Sequence, residues 1–280
     1  MTYKIVADSS ANVLELPGAD FTSVPLKIVT KDKEYVDDAG LDVEAMVAEI
    51  RDTKGRSSTA CPSVGEWLES FGDADTVVGV SITGTLSGSY SAAMMAKEEY
   101  ESAHPDRKVF ILDSLSAGPE IQLILERMRD MTRAGMSIEE IQTRTNVYWR
   151  HTHLLFSLES LTNLARNGRV NPAVAAAAGL LGIRIVGKAS DHGELEPMDK
   201  CRGEKKALEA IWKHMEGMNY AGGRVCIAHC MNASAAAALA ERIRKKYPLA
   251  EVNIVPTRGI CSYYAEKGGL MIAFEDRNAK

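Results

Sequence analysis

Apolar residues recur along the chain in two alternating rhythms. Short β-branched or aromatic runs at 3–7, 22–29, 77–82 and 108–112 predict strands. Between them the spacing becomes helical. Val43, Met46, Val47 and Ile50 fall on one helix face with Asp42 as N-cap, and Trp67, Leu68 and Phe71 follow a Ser63-Val64-Gly65-Glu66 capping box. A helix to about residue 100 follows the strand at 77–82. Another begins at Pro119, a first-turn residue by type, and Ser137-Ile138-Glu139-Glu140 is a second capping box. Strands separated by helices predict a parallel sheet covered on both faces. After residue 150 the pattern changes to short strands at 183–188, 224–229, 251–256 and 270–275, with helices near 204–217 and 232–247. The chain therefore reads as two domains: an N-terminal parallel-sheet α/β domain over 1–150 and a C-terminal α+β domain over 151–280.

Polar small residues stand where the first-half strands end: Asp8-Ser9-Ser10, Thr83 to Ser89, and Asp113-Ser114, with Thr59 to Ser63 in a loop of its own. In an open parallel sheet, ligands bind beyond the carboxyl ends of the strands. Helix starts at Ser63 and near Ser87 would add unpaired N–H groups and about half a unit of positive charge. Hydroxyls there add donors without charge, a combination suited to a small anion. Gly84 and Gly88 lack the Gly-Lys-Ser/Thr ending of a nucleotide loop, and Ser87 lacks the Gly-x-Ser-x-Gly elbow of a hydrolase. A small-molecule hydrolase or transferase using Ser87 or Ser114 is the alternative reading.

Composition narrows the class. With 45% apolar and 25% charged residues the chain is of globular type, and a net charge of −5 gives no general attraction to nucleic acid or anionic membranes. The N-terminus enters a strand directly, without a signal-peptide pattern, and no apolar run is long enough for a membrane anchor. Five scattered cysteines argue against a disulfide framework, and the expected location is cytoplasmic. His151 and His153 make half a zinc site, and Cys226, His229 and Cys230 match no common zinc spacing, so neither metal nor cofactor is expected. The run Arg242 to Lys246 reads as a solvated helix end.

Several motifs carry a family resemblance in order across nearly the whole chain. They are Asp8-Ser9-Ser10; Ser58-Thr59-Ala60-Cys61-Pro62-Ser63, with departures at Ala60 and Cys61; and Thr83-Gly84-Thr85-Leu86-Ser87-Gly88-Ser89-Tyr90. Asp113-Ser114 with Gly118, Leu161 to Asn167-Gly168-Arg169, and Lys200-Cys201-Arg202 follow. The chain resembles the DegV family, the fatty-acid-binding subunits of bacterial fatty acid kinase. The resemblance implies a non-catalytic protein of phospholipid metabolism, holding a long-chain fatty acid in a pocket between two domains and presenting it to a kinase subunit.

It also implies roles for residues. The carboxylate falls to Thr59 and to Thr83 or Gly84, with Ser114 nearby. Arg169 and Arg202 face the head group or the partner, and Lys200, Lys205 and Lys206 make the Arg202 surface basic. Where the family often has His-Thr-Gly-Pro-Gly, this chain has Ser262 to Gly269, which puts Tyr264 near the head group. Met94, Met95, the Leu155–Phe156 pair, Leu158 and the small apolar stretch holding Leu180 are the candidate walls of the acyl tunnel.

Overall fold

The computed structural model describes residues 2–52, 55–178 and 182–279. Among these, seven strands precede residue 150: β1 (Tyr3–Asp8), β2 (Phe21–Val24), β3 (Lys27–Thr30), β4 (Glu34–Val36), β5 (Ser57–Ala60), β6 (Thr76–Ser81) and β7 (Lys108–Asp113). Four form a wholly parallel sheet in the order β2-β1-β6-β7. Parallel sheets need both faces covered, and every residue of β6 is buried. Helices α1 (Val43–Asp52), α2 (Val64–Phe71), α3 (Ser89–Ala103), α4 (Pro119–Arg133) and α5 (Ile138–Trp149) lie in the same half. One sheet face packs on Trp67, Phe71, Ala93 and Ala96 of α2 and α3. The other packs on Ile121, Ile124 and Met128 of α4 and Ile141 of α5.

Both capping boxes form, at Ser63–Glu66 and Ser137–Glu140. Asp42 caps α1 by accepting the Ala45 N–H at 3.0 Å, and Pro119 opens α4.

Six strands follow: β8 (Thr152–Leu158), β9 (Ile183–Ala189), β10 (Leu195–Arg202), β11 (Tyr220–His229), β12 (Val252–Pro256) and β13 (Leu270–Asp276). They form one sheet, β10-β9-β8-β13-β11-β12, antiparallel except for the β11–β12 pair. Helices α6 (Thr162–Arg166), α7 (Pro172–Ala178), α8 (Glu204–Gly217), α9 (Ala233–Lys246) and α10 (Gly259–Ala265) complete the chain. Helix α4 is buried between the two sheets, and its Leu123 packs with Leu154, Cys226 and Ala273 of the second.

Three expectations are corrected. The run 22–29 is not one strand: it breaks at Pro25, which has no N–H to give a ladder. Beyond the break β3 joins a separate three-stranded antiparallel sheet, β4-β3-β5. Leu26 at the break donates its N–H to Ser9 Oγ at 3.0 Å, and its carbonyl accepts the Asp37 N–H at 2.9 Å. Thr59, placed in a loop by its polar surroundings, lies on β5 opposite Ile28. Strand β10 was unpredicted because Pro197 interrupts a polar sequence, and it sits at the sheet edge where a bulge absorbs that proline.

The small sheet and α1 bury their apolar side chains against second-half residues. Ile28, Tyr35, Met46 and Ile50 share a core with Phe156, Leu158, Ile185 and Tyr263. Asp37, which is buried, accepts the Gly259 and Ile260 N–H groups, each at 2.8 Å, and so caps α10 from across the molecule. Burial pushes the Asp37 carboxyl up in pKa, while these donors pull it down.

Candidate functional site

The carboxyl end of the parallel sheet is built around Asp8, which is fully buried at the end of β1. It accepts the Ile82 N–H at 2.9 Å, Ser89 Oγ at 2.6 Å, and Ser10 Oγ at 2.5 Å. Desolvation raises its pKa, and these hydrogen bonds pull it back. Asp8 thereby holds the chain where β6 hands over to α3. The first of the sequence motifs is a brace for the site rather than part of its lining.

The handover faces a cavity of about 340 Å³, within the range of about 300–1,000 Å³ common to small-ligand sites. Its walls come from both halves of the chain. Leu26, Ile82, Leu86, Leu154, Phe156 and Leu158 are among the apolar ones, and Thr59, Cys61, Thr83, Ser87, Arg169 and Tyr264 are polar. Leu154, Phe156 and Leu158 alternate along β8, so one strand face lines the cavity. Gly187 lies opposite Phe156 on β9, where a Cβ would come within 2.4 Å of the Phe156 ring. The missing side chain there leaves room for the ring.

The polar side chains at one end are tied together. Thr59 Oγ1 and Tyr264 Oη are 2.8 Å apart, joining β5 to α10. Burial raises the Tyr264 phenol pKa, opposed by the Thr59 hydrogen bond and the Arg169 charge. Arg169 Nε donates to the Leu86 carbonyl at 3.1 Å, and its Nη1 donates to the Asn167 carbonyl. A Cβ on Gly88 would lie 3.1 Å from Cys61 Sγ, so the start of α3 and the loop after β5 are in contact. Gly88 is the N-cap of α3 without a side-chain cap. The wall of an apolar cavity thus carries the Thr59 hydroxyl paired with the Tyr264 phenol, the Thr83 hydroxyl, the Arg169 guanidinium and residues at the start of α3.

Of the residues singled out from sequence, Thr59, Thr83, Arg169, Tyr264, Phe156 and Leu158 line this cavity. Others lie elsewhere. Gly84 does not line it, and its N–H is given to the Asp113 carboxylate at 3.1–3.2 Å. Ser114 lines a separate cavity of about 450 Å³, and its Oγ donates to the Ser116 carbonyl at 3.0 Å. Met94 packs beside Trp67 and Phe71 under the sheet, and Met95 is 59% exposed. Leu155 alternates to the opposite face of β8, into the core with Ile211 and Trp212. Arg202 is exposed at the end of β10, and Leu180 lies outside the described residues.

Of the two alternative nucleophiles, Ser114 shares its separate cavity with His153, whereas Ser87 has no histidine beside it among the described residues. Ser87 Oγ accepts the Ser89 N–H at 3.2 Å, and no histidine lines its cavity among the described residues. His151 and His153 both meet Asp276, at 3.1 and 3.5 Å, and desolvation holds the His153 pKa below its usual value. Cys226 Sγ lies 3.4 Å from Gln122 Oε1. No helix of the described residues is long and apolar enough to cross a membrane.

Sequence reasoning missed Leu26, Ser116, Ile260 and Met271 in the lining. Leu154 alone carried a usable signal, its two-residue offset from Phe156.

Residues 2–277 match the model of a family described as an uncharacterised protein family, DegV. A DegV domain-containing protein of Streptococcus pneumoniae R6 is 43% identical over 279 residues, covering 98% of this chain and 99% of the relative. A solved DegV family protein from Eubacterium eligens, loaded with heptadecanoic acid, superposes with a TM-score of 0.96 at 42% identity, covering 99% of this chain and 100% of that one. The Streptococcus pneumoniae Fatty Acid Kinase (Fak) B3 protein loaded with linoleic acid gives a TM-score of 0.96 at 43% identity, covering 98% and 99%.

Proposed function

The chain belongs to the DegV family, and from that premise we propose that it binds a long-chain fatty acid in the cavity lined by both halves of the chain and presents the carboxylate to a fatty acid kinase subunit. The observation that carries this reading is a mostly apolar cavity whose wall also carries hydroxyls, a phenol and one guanidinium. A fatty acid has that same division of chemistry. About sixteen buried acyl carbons at roughly 0.8 kcal/mol each supply a gross term on the order of 13 kcal/mol before binding costs. The carboxylate needs only to be hydrogen-bonded where it enters. Thr59, Thr83, the start of α3 and Arg169 are the groups available to it, with Tyr264 orienting Thr59. We read the chain as two domains, 1–150 and 151–280, meeting at this cavity.

Solvent extraction of the purified protein followed by mass spectrometry tests the reading. A co-purifying long-chain fatty acid is expected, and a protein that yields none and binds none when supplied in vitro overturns it. Thr59→Val keeps the shape but removes the hydroxyl, so acyl affinity should fall by about 0.5–1.5 kcal/mol, or more if the carboxylate is left short of a donor. Unchanged affinity in both Thr59→Val and Thr83→Val would place the head group elsewhere.

The partner surface is a separate matter. Lys200, Arg202, Lys205 and Lys206 are exposed, and none makes an ion pair among the described residues. Such a basic patch on a chain of net charge −5 would steer an acidic partner, an effect that salt weakens. Arg202→Ala should therefore impair acyl phosphate formation with a cognate kinase, measured at low and high salt, while fatty-acid binding changes less than about twofold. Loss of acyl binding itself would move Arg202 into the pocket and end the docking role.

A further inference from the structure

One serine of the cavity wall is backed by a buried carboxyl, itself lining the separate cavity of about 450 Å³, that holding a plain hydrocarbon does not require. Ser116 lines the cavity near Ala117, Leu154 and Met271, all apolar. Behind it, Ser116 Oγ donates to Glu120 Oε2 at 2.5 Å. The other carboxyl oxygen of Glu120 is 2.8 Å from Thr152 Oγ1, which also lies 2.9 Å from the Trp149 carbonyl. Glu120 is 4% exposed, and no cation stands within ion-pair distance of it among the described residues. Burying a carboxyl without a cation costs several kcal/mol, and an apolar side chain of the same size would pack here at lower cost.

The proton arithmetic gives the pair a use. With Glu120 ionised, Ser116 gives its only proton to the carboxylate and keeps lone pairs able to accept from a ligand hydroxyl in the cavity. With Glu120 neutral, its acid proton can go to Ser116 Oγ, which frees the serine proton to donate to the same ligand oxygen. A hydroxyl is served in either state. A saturated or olefinic chain gains nothing from it.

Resting on the fatty-acid reading above, we propose that Ser116, with Glu120 behind it, is a specificity contact for acyl chains carrying a hydroxyl group on the chain. The pair adds one hydrogen bond on an otherwise apolar wall, in a site where an unpaired ligand hydroxyl would be costly to bury.

The test is a set of hydroxyoctadecanoic acids with the hydroxyl moved progressively along the chain, measured against octadecanoic acid by displacement of a fluorescent fatty acid. One member of the set should bind about tenfold better relative to the plain acid than its neighbours do. That ratio should collapse to about one in Ser116→Ala. Because Ser116→Ala leaves Glu120 short of a donor, the double variant Ser116→Ala with Glu120→Met removes both polar groups and should give the same collapse in a stably folded protein. The inference is overturned if no hydroxy acid stands out from its positional neighbours in the wild type, or if the ratio survives in the double variant. A wild type that binds octadecanoic acid but shows no such ratio sinks only this contact. Failure to bind any fatty acid sinks the functional reading itself.

Discussion

Ala117→Trp is expected to lower the affinity for a long-chain fatty acid by about a hundredfold or more. Ala117 lines the apolar wall beside Ser116 and next to Gly118, whose missing Cβ would stand 2.7 Å from the Met271 methyl. An indole placed there occupies space otherwise open to the ligand. Displacing about four methylenes at about 0.8 kcal/mol each removes about 3 kcal/mol, which is the hundredfold loss. The loss should shrink for acids shortened by a similar length, because they no longer compete for the filled volume. Isothermal titration across a chain-length series reads both effects. Equal affinity for wild type and variant at every length would remove the acyl chain from this cavity.

Stability should fall as pH rises from about 4.5 to about 7, and Glu120→Gln should flatten much of that fall. Burial raises the Glu120 carboxyl from its ordinary 4.5 to about 7, against the lowering pull of the Ser116 and Thr152 hydroxyls. The folded state therefore holds this proton more tightly than the unfolded chain does. Its contribution is fully present below pH 4.5 and is lost as pH climbs through about 7, amounting to about 3 kcal/mol. Asp8 and Asp37 are also raised by burial and push in the same direction, while His153 and His229, lowered by burial, push the other way, so only the difference between wild type and variant isolates Glu120. Urea unfolding of both proteins across this range measures it. A wild-type-to-variant gap that stays constant with pH would refute the assignment.

Local signals were sufficient wherever one element's own residues carry the cause. The caps at Ser63 and Ser137, the proline at the start of α4 and the β-branched run of β6 are each set by neighbours a few positions away, and each forms as read. The strand-to-helix handover at 83–89 was legible for the same reason, since glycine and hydroxyl clusters mark it directly. Thr59, Thr83 and Arg169 stand in the ordered motifs and Tyr264 stands where the chain departs from the family pattern, and all four line one cavity.

What the sequence could not contain is which groups were already occupied. Gly84 looks like a free donor in the chain, and only the fold brings Asp113, 29 positions away, to take its N–H. Ser114 looks like a hydroxyl of the same site, and only the turn after β7 places it in a separate cavity, donating to the Ser116 carbonyl. Met94 and Met95 have the flexible apolar side chains of a tunnel wall, but α3 carries one under the sheet and leaves the other in solvent. Strand β5 and helix α10 are short and weakly patterned. They exist because β3 pairs with one and Asp37, more than 200 positions away, caps the other. Periodicity reports the environment that an element makes for itself. The bond between Thr59 and Tyr264, 205 positions apart, and the carboxyl buried behind Ser116 arise from packing between distant segments, so only the tertiary structure decided them.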